Sequence, residues 1–67
     1  MKLITTPNLP DPDEIYQKLI TLHDGRSEDQ SMRVNARLIL LLINHVGDPE
    51  AVSEAIAHAA SPEDQEQ

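Results

Sequence analysis

Apolar residues recur at helical spacing in three separate stretches of this chain, and each stretch is bounded by its own start and stop signals. In the first, Ile15, Leu19 and Leu22 lie on one stripe with Tyr16, Ile20 and His23 beside it. Asp11-Pro12-Asp13-Glu14 precedes it, supplying an N-cap acid, a proline at the first helical position and acids at the positive end of the dipole. Gly25 follows as a left-handed C-terminal residue. The second stretch opens on Ser27, with Gln30 three residues on in the capping-box pattern, and is stopped by Gly47. The third opens on Asp48-Pro49-Glu50 and carries Val52, Ala55, Ile56 and Ala59 on its stripe. The expectation is an all-α domain over residues 1–60, with helices at about 12–24, 28–46 and 49–60. Asp11, Gly25, Ser27, Gly47 and Asp48 are its structural caps. Residues 1–10, with Pro7 and Pro10, read as an extended arm that Leu3, Ile4 and Leu9 could pin to the core. Residues 61–67 are polar and proline-interrupted, and read as a flexible tail.

The second helix carries two apolar stripes. At 100° per residue, Met32, Ala36, Ile39, Ile43 and Val46 share one side, flanked by Leu42 and Asn35. Val34, Leu38, Leu41 and His45 follow the spacing i, i+4, i+7, i+11 on another, bordered by Arg37 and Asn44. A helix that is apolar nearly all round is a buried one, yet only two short helices and the arm are at hand to bury it. Either they straddle it completely, or the second stripe is an interface for another copy or a larger protein, with Val34, Arg37, Leu38, Leu41 and His45 as its residues. The second alternative is favoured, because folding alone leaves little surplus. Folding a 7.5 kDa chain hides roughly 6,600 Å². If a little over half of that is apolar, the gain is on the order of 95 kcal/mol, against about 100 kcal/mol for ordering the residues. No cysteine is present to add a disulfide.

Charge narrows the partners. Five Lys and Arg stand against twelve Asp and Glu, a net of −7, which is opposite to the basic footprint that nucleic acid or an anionic membrane surface requires. The acids cluster at Asp11, Asp13 and Glu14 and in the tail from Glu63, where capping and solubility account for them. The longest unbroken apolar run, Leu38 to Ile43, is six residues, far short of a bilayer span. Met1-Lys2-Leu3-Ile4 leads straight into Thr5-Thr6-Pro7 without the apolar core of a signal peptide, so a cytoplasmic protein is expected.

Little in the chain suggests chemistry. His23, His45 and His58 sit near the ends of separate helices and form no i, i+4 ligand pair, so dipole capping explains them better than a metal does. The carboxylate pairs Asp13/Glu14 and Glu50/Glu54 lie at helix starts, where acids are expected. Ser27 is occupied as a cap, and Ser31 has no histidine at a spacing that sequence can read. One tyrosine, with no Phe or Trp, gives no aromatic platform. Neither catalysis nor a cofactor is expected. Asp29 lies four residues before Arg33 and could pair with it, while Arg37 could anchor a partner. Asn35 and Asn44 stand inside the helix, either fixing partner geometry or hydrogen-bonding a loop. The stretches 19–25 and 41–47 both end in His-x-Gly, which helix-end chemistry explains without a duplication.

The stretch Asn35-Ala36-Arg37-Leu38-Ile39-Leu40-Leu41-Leu42-Ile43-Asn44-His45-Val46-Gly47-Asp48, with Thr6-Pro7-Asn8-Leu9-Pro10-Asp11-Pro12-Asp13 upstream, resembles a family of short bacterial proteins catalogued as a domain of unknown function. Asn35, Arg37, Asn44, His45, Gly47 and Asp48 are the positions that match its pattern. The resemblance implies genes beside those of flavin-dependent aromatic-ring hydroxylases, and hence an accessory role to an oxidoreductase. It carries no catalytic residue across. The functional expectation is a non-catalytic interaction domain that self-associates or serves as a small subunit of a larger enzyme. The alternative is an acidic mimic that occupies a basic protein surface.

Overall fold

A computed structural model describes residues 2–61; the tail expected beyond Ser61 lies outside the described residues. Among these there are three helices and no strand: α1, Pro12–His23; α2, Glu28–Val46; and α3, Pro49–Ala60. The all-α expectation holds.

Each helix starts on local chemistry. Asp11 accepts the Glu14 N–H at 3.3 Å, with Pro12 at the first helical position, where a missing N–H costs nothing. Ser27 and Gln30 form a reciprocal capping box. The Ser27 hydroxyl accepts the Gln30 N–H at 3.2 Å, and the Gln30 amide oxygen accepts the Ser27 N–H at 3.0 Å. Asp48 accepts the Glu50 N–H at 3.1 Å. The Asp48 carboxyl lies below its ordinary value of 3.8; hydrogen bonds from the Glu50 and Ala51 N–H groups favour its ionised form, while partial desolvation opposes it.

The two glycine-containing ends differ. Gly47 adopts a left-handed φ of 66°, and its N–H bonds the Ile43 carbonyl at 2.9 Å, which closes α2 with a single five-residue loop. After α1 the chain turns at once. Asp24 is already extended (φ −62°, ψ 129°), Gly25 follows at φ 76°, and the Arg26 N–H bonds the His23 carbonyl at 3.2 Å. These are the dihedrals of a type II turn with glycine at its third position. Gly25 is thus left-handed as part of a β-turn, and α1 ends at His23. Arg26 folds back, its Nε donating to the Leu22 carbonyl at 2.6 Å.

The two stripes of α2 are each used over half their length. Nineteen residues make α2 about 28 Å long, whereas α1 and α3, at twelve residues each, reach only about 18 Å. On α2, Ser31, Val34 and Leu38 are withdrawn from solvent in the first half, and Ile43 in the second. The first group faces α1, to which Ser31 and Asn35 are hydrogen-bonded. Ile39, Leu42, Ile43 and Val46 face α3 across a groove. Met32 and Ala36, at the start of the first stripe, are exposed. The arm contributes Leu3, which lines the groove and is half-buried; Ile4 and Leu9 do not pin it and stand in solvent.

The resulting core is very small. Val34 (7 % exposed) and Ala51 (5 %) are the buried apolar residues among those described. Among the described residues, no helix is long and apolar enough to cross a membrane.

Candidate functional site

Two features stand out once the helices are in place: a polar cluster joining α1 to α2, and an extensive apolar surface. The cluster is centred on His23, the last residue of α1. Its Nδ1 lies 2.9 Å from the Ser31 hydroxyl and its Nε2 lies 3.0 Å from Asn35 Oδ1. A carboxamide oxygen only accepts, so Nε2 carries the proton and donates to Asn35. In the neutral ring, Nδ1 then accepts the Ser31 hydroxyl proton. The Gly25 turn makes this possible by folding residue 23 back onto the first turns of α2.

A serine, a histidine and an asparagine in one hydrogen-bonded row invite comparison with a nucleophilic triad. The Ser31 N–H is committed to the Ser27 carbonyl at 2.9 Å and is not itself available as an oxyanion donor. The depression that includes His23 is lined by Tyr16, Leu19, Ile20 and Asp24, and Ser31 does not line it. The cluster is a clasp between two helices. Sequence reasoning assigned His23 to dipole capping and left Ser31 without a partner, since a separation of eight residues across a turn carries no helical periodicity. Of the two readings for Asn35, hydrogen bonding within the fold is the one observed, although its partner is a helix-terminal histidine. Among the described residues, no three His, Asp or Glu side chains converge to hold a metal.

The second apolar stripe divides between interior and surface. Val34, expected at the interface, is in the core, and Leu38 is half-buried. The Gly25 turn brings the end of α1 back to α2 at Ser31 and Asn35. Leu41 is 69 % exposed, and Arg37 and His45 are exposed with it. The surface that does face away from both neighbours is a slightly rotated strip of Arg33, Arg37, Leu40, Leu41 and Asn44, all exposed. Leu40, 65 % exposed, was missed by the stripe analysis because it falls between the two stripes. Arg33 and Arg37 carry no ion pair among the described residues, so the pairing of Asp29 with Arg33 does not form.

The groove between α2 and α3 is the other apolar region. It encloses about 430 Å³, and no charged side chain lines it. Small residues of α3, Ala51, Ala55 and Ala59, line it together with Ile39, Leu42, Val46 and Ile56. The further depression at the α2–α3 turn, bordered by Gly47, Asp48 and Pro49, is shallow and open.

No curated protein and no solved structure matches the chain. A family model does match, over residues 3–61, and its description is "Protein of unknown function (DUF2783)". Because that span takes in all three helices and the Leu3 contact, the chain belongs to this family.

Proposed function

We propose that this chain is a non-catalytic protein–protein interaction domain that docks, as a small accessory subunit, on a larger protein through the outer face of α2. The observation that carries the proposal is the exposure of Leu40 and Leu41 beside two unpaired arginines on a helix whose other faces meet α1 and α3. Leucines flanked by arginine combine apolar area with a directional cation, and arginine is enriched among residues that dominate binding energy. An apolar patch of this kind marks a contact site more often than a bare surface. Self-association is the second form of the same reading.

The partner class favoured by the family resemblance is a flavin-dependent aromatic-ring hydroxylase of the same host. The alternative of an acidic mimic draws less support, because Asp11 and Asp48 are engaged as helix caps and not arrayed on one face. Leu41→Arg tests the docking proposal. The tagged native chain should retain its partner from host extract and from a mixture with purified hydroxylase, and the variant should lose it while keeping the native circular dichroism spectrum. Equal retention by both proteins refutes docking through this face. Binding that collapses with added salt would instead favour the mimic.

A further inference from the structure

We infer that the outer face of α2 receives an acidic amphipathic helix of a larger protein, whose carboxylates, one turn apart, meet Arg33 and Arg37 while its apolar side chains meet Leu40 and Leu41. The inference rests on the reading of this face as a docking site and adds to it the chemistry of the occupant.

Charge distribution is the first argument. All twelve Asp and Glu residues lie outside residues 30–47, a stretch that holds Arg33 and Arg37 and no acid. Beyond its first turn α2 is therefore cationic, on a chain whose net charge is −7. The rest of the chain sets those twelve acids against Lys2, Lys18 and Arg26. Nucleic acid or an anionic membrane extends past any local site and would be repelled by them. The carboxylates of a single helix can be confined to the strip, where a basic helix would face like charge.

Availability is the second. Asp29, four residues before Arg33, has the spacing of an intrahelical partner. Even so, Arg33 and Arg37 are exposed and carry no ion pair among the described residues. Both cations are arginines, whose planar fork grips a carboxylate with two donors and gives up water more readily than an ammonium.

Shape is the third. Arg33 and Arg37 stand about 6 Å apart along the axis, and Asn44 lies about 16 Å beyond Arg33, three turns in all. Leu40 and Leu41, 65 % and 69 % exposed, follow one turn after Arg37. No glycine or proline interrupts α2, so the strip is a continuous helical ridge. An extended peptide finds no sheet edge there to pair with. A second helix can set its own side chains between these rows.

The test uses a designed two-helix hairpin as probe. Its outer face carries two glutamates four residues apart and two leucines one turn further on, and a twin has lysines in place of the glutamates. Each is titrated into the nitrogen-15-labelled full chain. The glutamate probe should shift the amides of residues 33–44 and bind at least about tenfold more tightly than its twin, since two ion pairs are exchanged for two like-charge contacts. Arg33→Glu combined with Arg37→Glu should reverse that order, and Arg33→Gln combined with Arg37→Gln should abolish it. Equal binding of the two probes overturns the inference, as does preference for the lysine twin, which is the mimic's result. A glutamate probe that leaves the strip unshifted at millimolar concentration also overturns it. Shifts of the same amides on concentrating the chain alone would assign the strip to a second copy and overturn it as well. When partner retention is read as for Leu41→Arg, the double glutamate variant should release the partner. Retention by that variant but not by Leu41→Arg overturns the acidic occupant and leaves docking through this face standing; retention by both overturns both.

Discussion

Replacing His23 with alanine should release α1 from α2 with little effect on α3. The magnitude follows from the two bonds that the imidazole makes. The Ser31 bond, at 2.9 Å, is partly buried, and the Asn35 bond, at 3.0 Å, is exposed. A net value of about 1 kcal/mol for the first and about 0.5 kcal/mol for the second gives a destabilisation of about 1.5 kcal/mol. No larger penalty applies, since the freed hydroxyl and amide sit near enough to solvent to be hydrated. In a domain of this size, 1 kcal/mol corresponds to about 4–8 °C in melting temperature, so His23→Ala should lower it by about 6–12 °C. Thermal and urea unfolding followed by circular dichroism would measure this, at one fixed protein concentration so that association does not differ between samples. Asn35→Ala and the double variant complete a cycle, with an expected coupling of about 0.5 kcal/mol. Amide exchange adds the spatial readout: protection should fall over residues 15–23 and persist over 50–60. A change below about 0.3 kcal/mol, with no coupling to Asn35, would refute the clasp as a source of stability.

Two further outcomes follow from the turns and caps. Gly47→Ala should cost about 1–2 kcal/mol, because an L-residue resists φ 66° although a Cβ there meets only the Asn44 and His45 carbonyl oxygens at ordinary contact distances of 3.7 and 3.9 Å. Gly47→Asn should recover part of the loss, and equal melting temperatures for native and alanine forms would contradict the strain argument. Asp48→Asn keeps a cap acceptor but removes the titration. The Asp48 carboxyl is depressed in the fold, so its stabilisation is present above its ordinary value of 3.8 and is lost as pH falls through the lower folded value. The stability difference between native and variant should therefore be widest above pH 3.8 and close below it; a difference constant into strong acid would contradict this.

The helix starts were legible because each is a local event: Asp11 with Pro12, Ser27 with Gln30 and Asp48 with Pro49 satisfy backbone donors within three residues. The division of α2 between its neighbours was not, because it depends on the direction in which each turn sends the next helix. The same apolar periodicity serves whether Val34 meets α1 or a separate protein. Gly25 illustrates the difficulty. A left-handed glycine after a helix fits both a helix-terminal cap and a type II turn, and only the latter brings His23 onto Ser31 and Asn35. Leu40 escaped notice because a periodic analysis sorts residues onto faces that neighbours occupy, whereas this one lies on the face that neither neighbour reaches.

The sharing of α2 also sets an order of events during synthesis. Everything that α1 needs is complete by about residue 38: the His23 clasp, the buried Val34 and the half-buried Leu38 all precede it in the chain. This first hairpin contains only contacts between sequence neighbours and can close while residues 39–60 are still emerging from the ribosome, as N-terminal units do. The apolar groove cannot exist until α3 has been made, since Ala51, Ala55 and Ile56 form one of its sides. Its most adhesive surface thus comes last of the three helical contacts, on a chain whose first half is already folded.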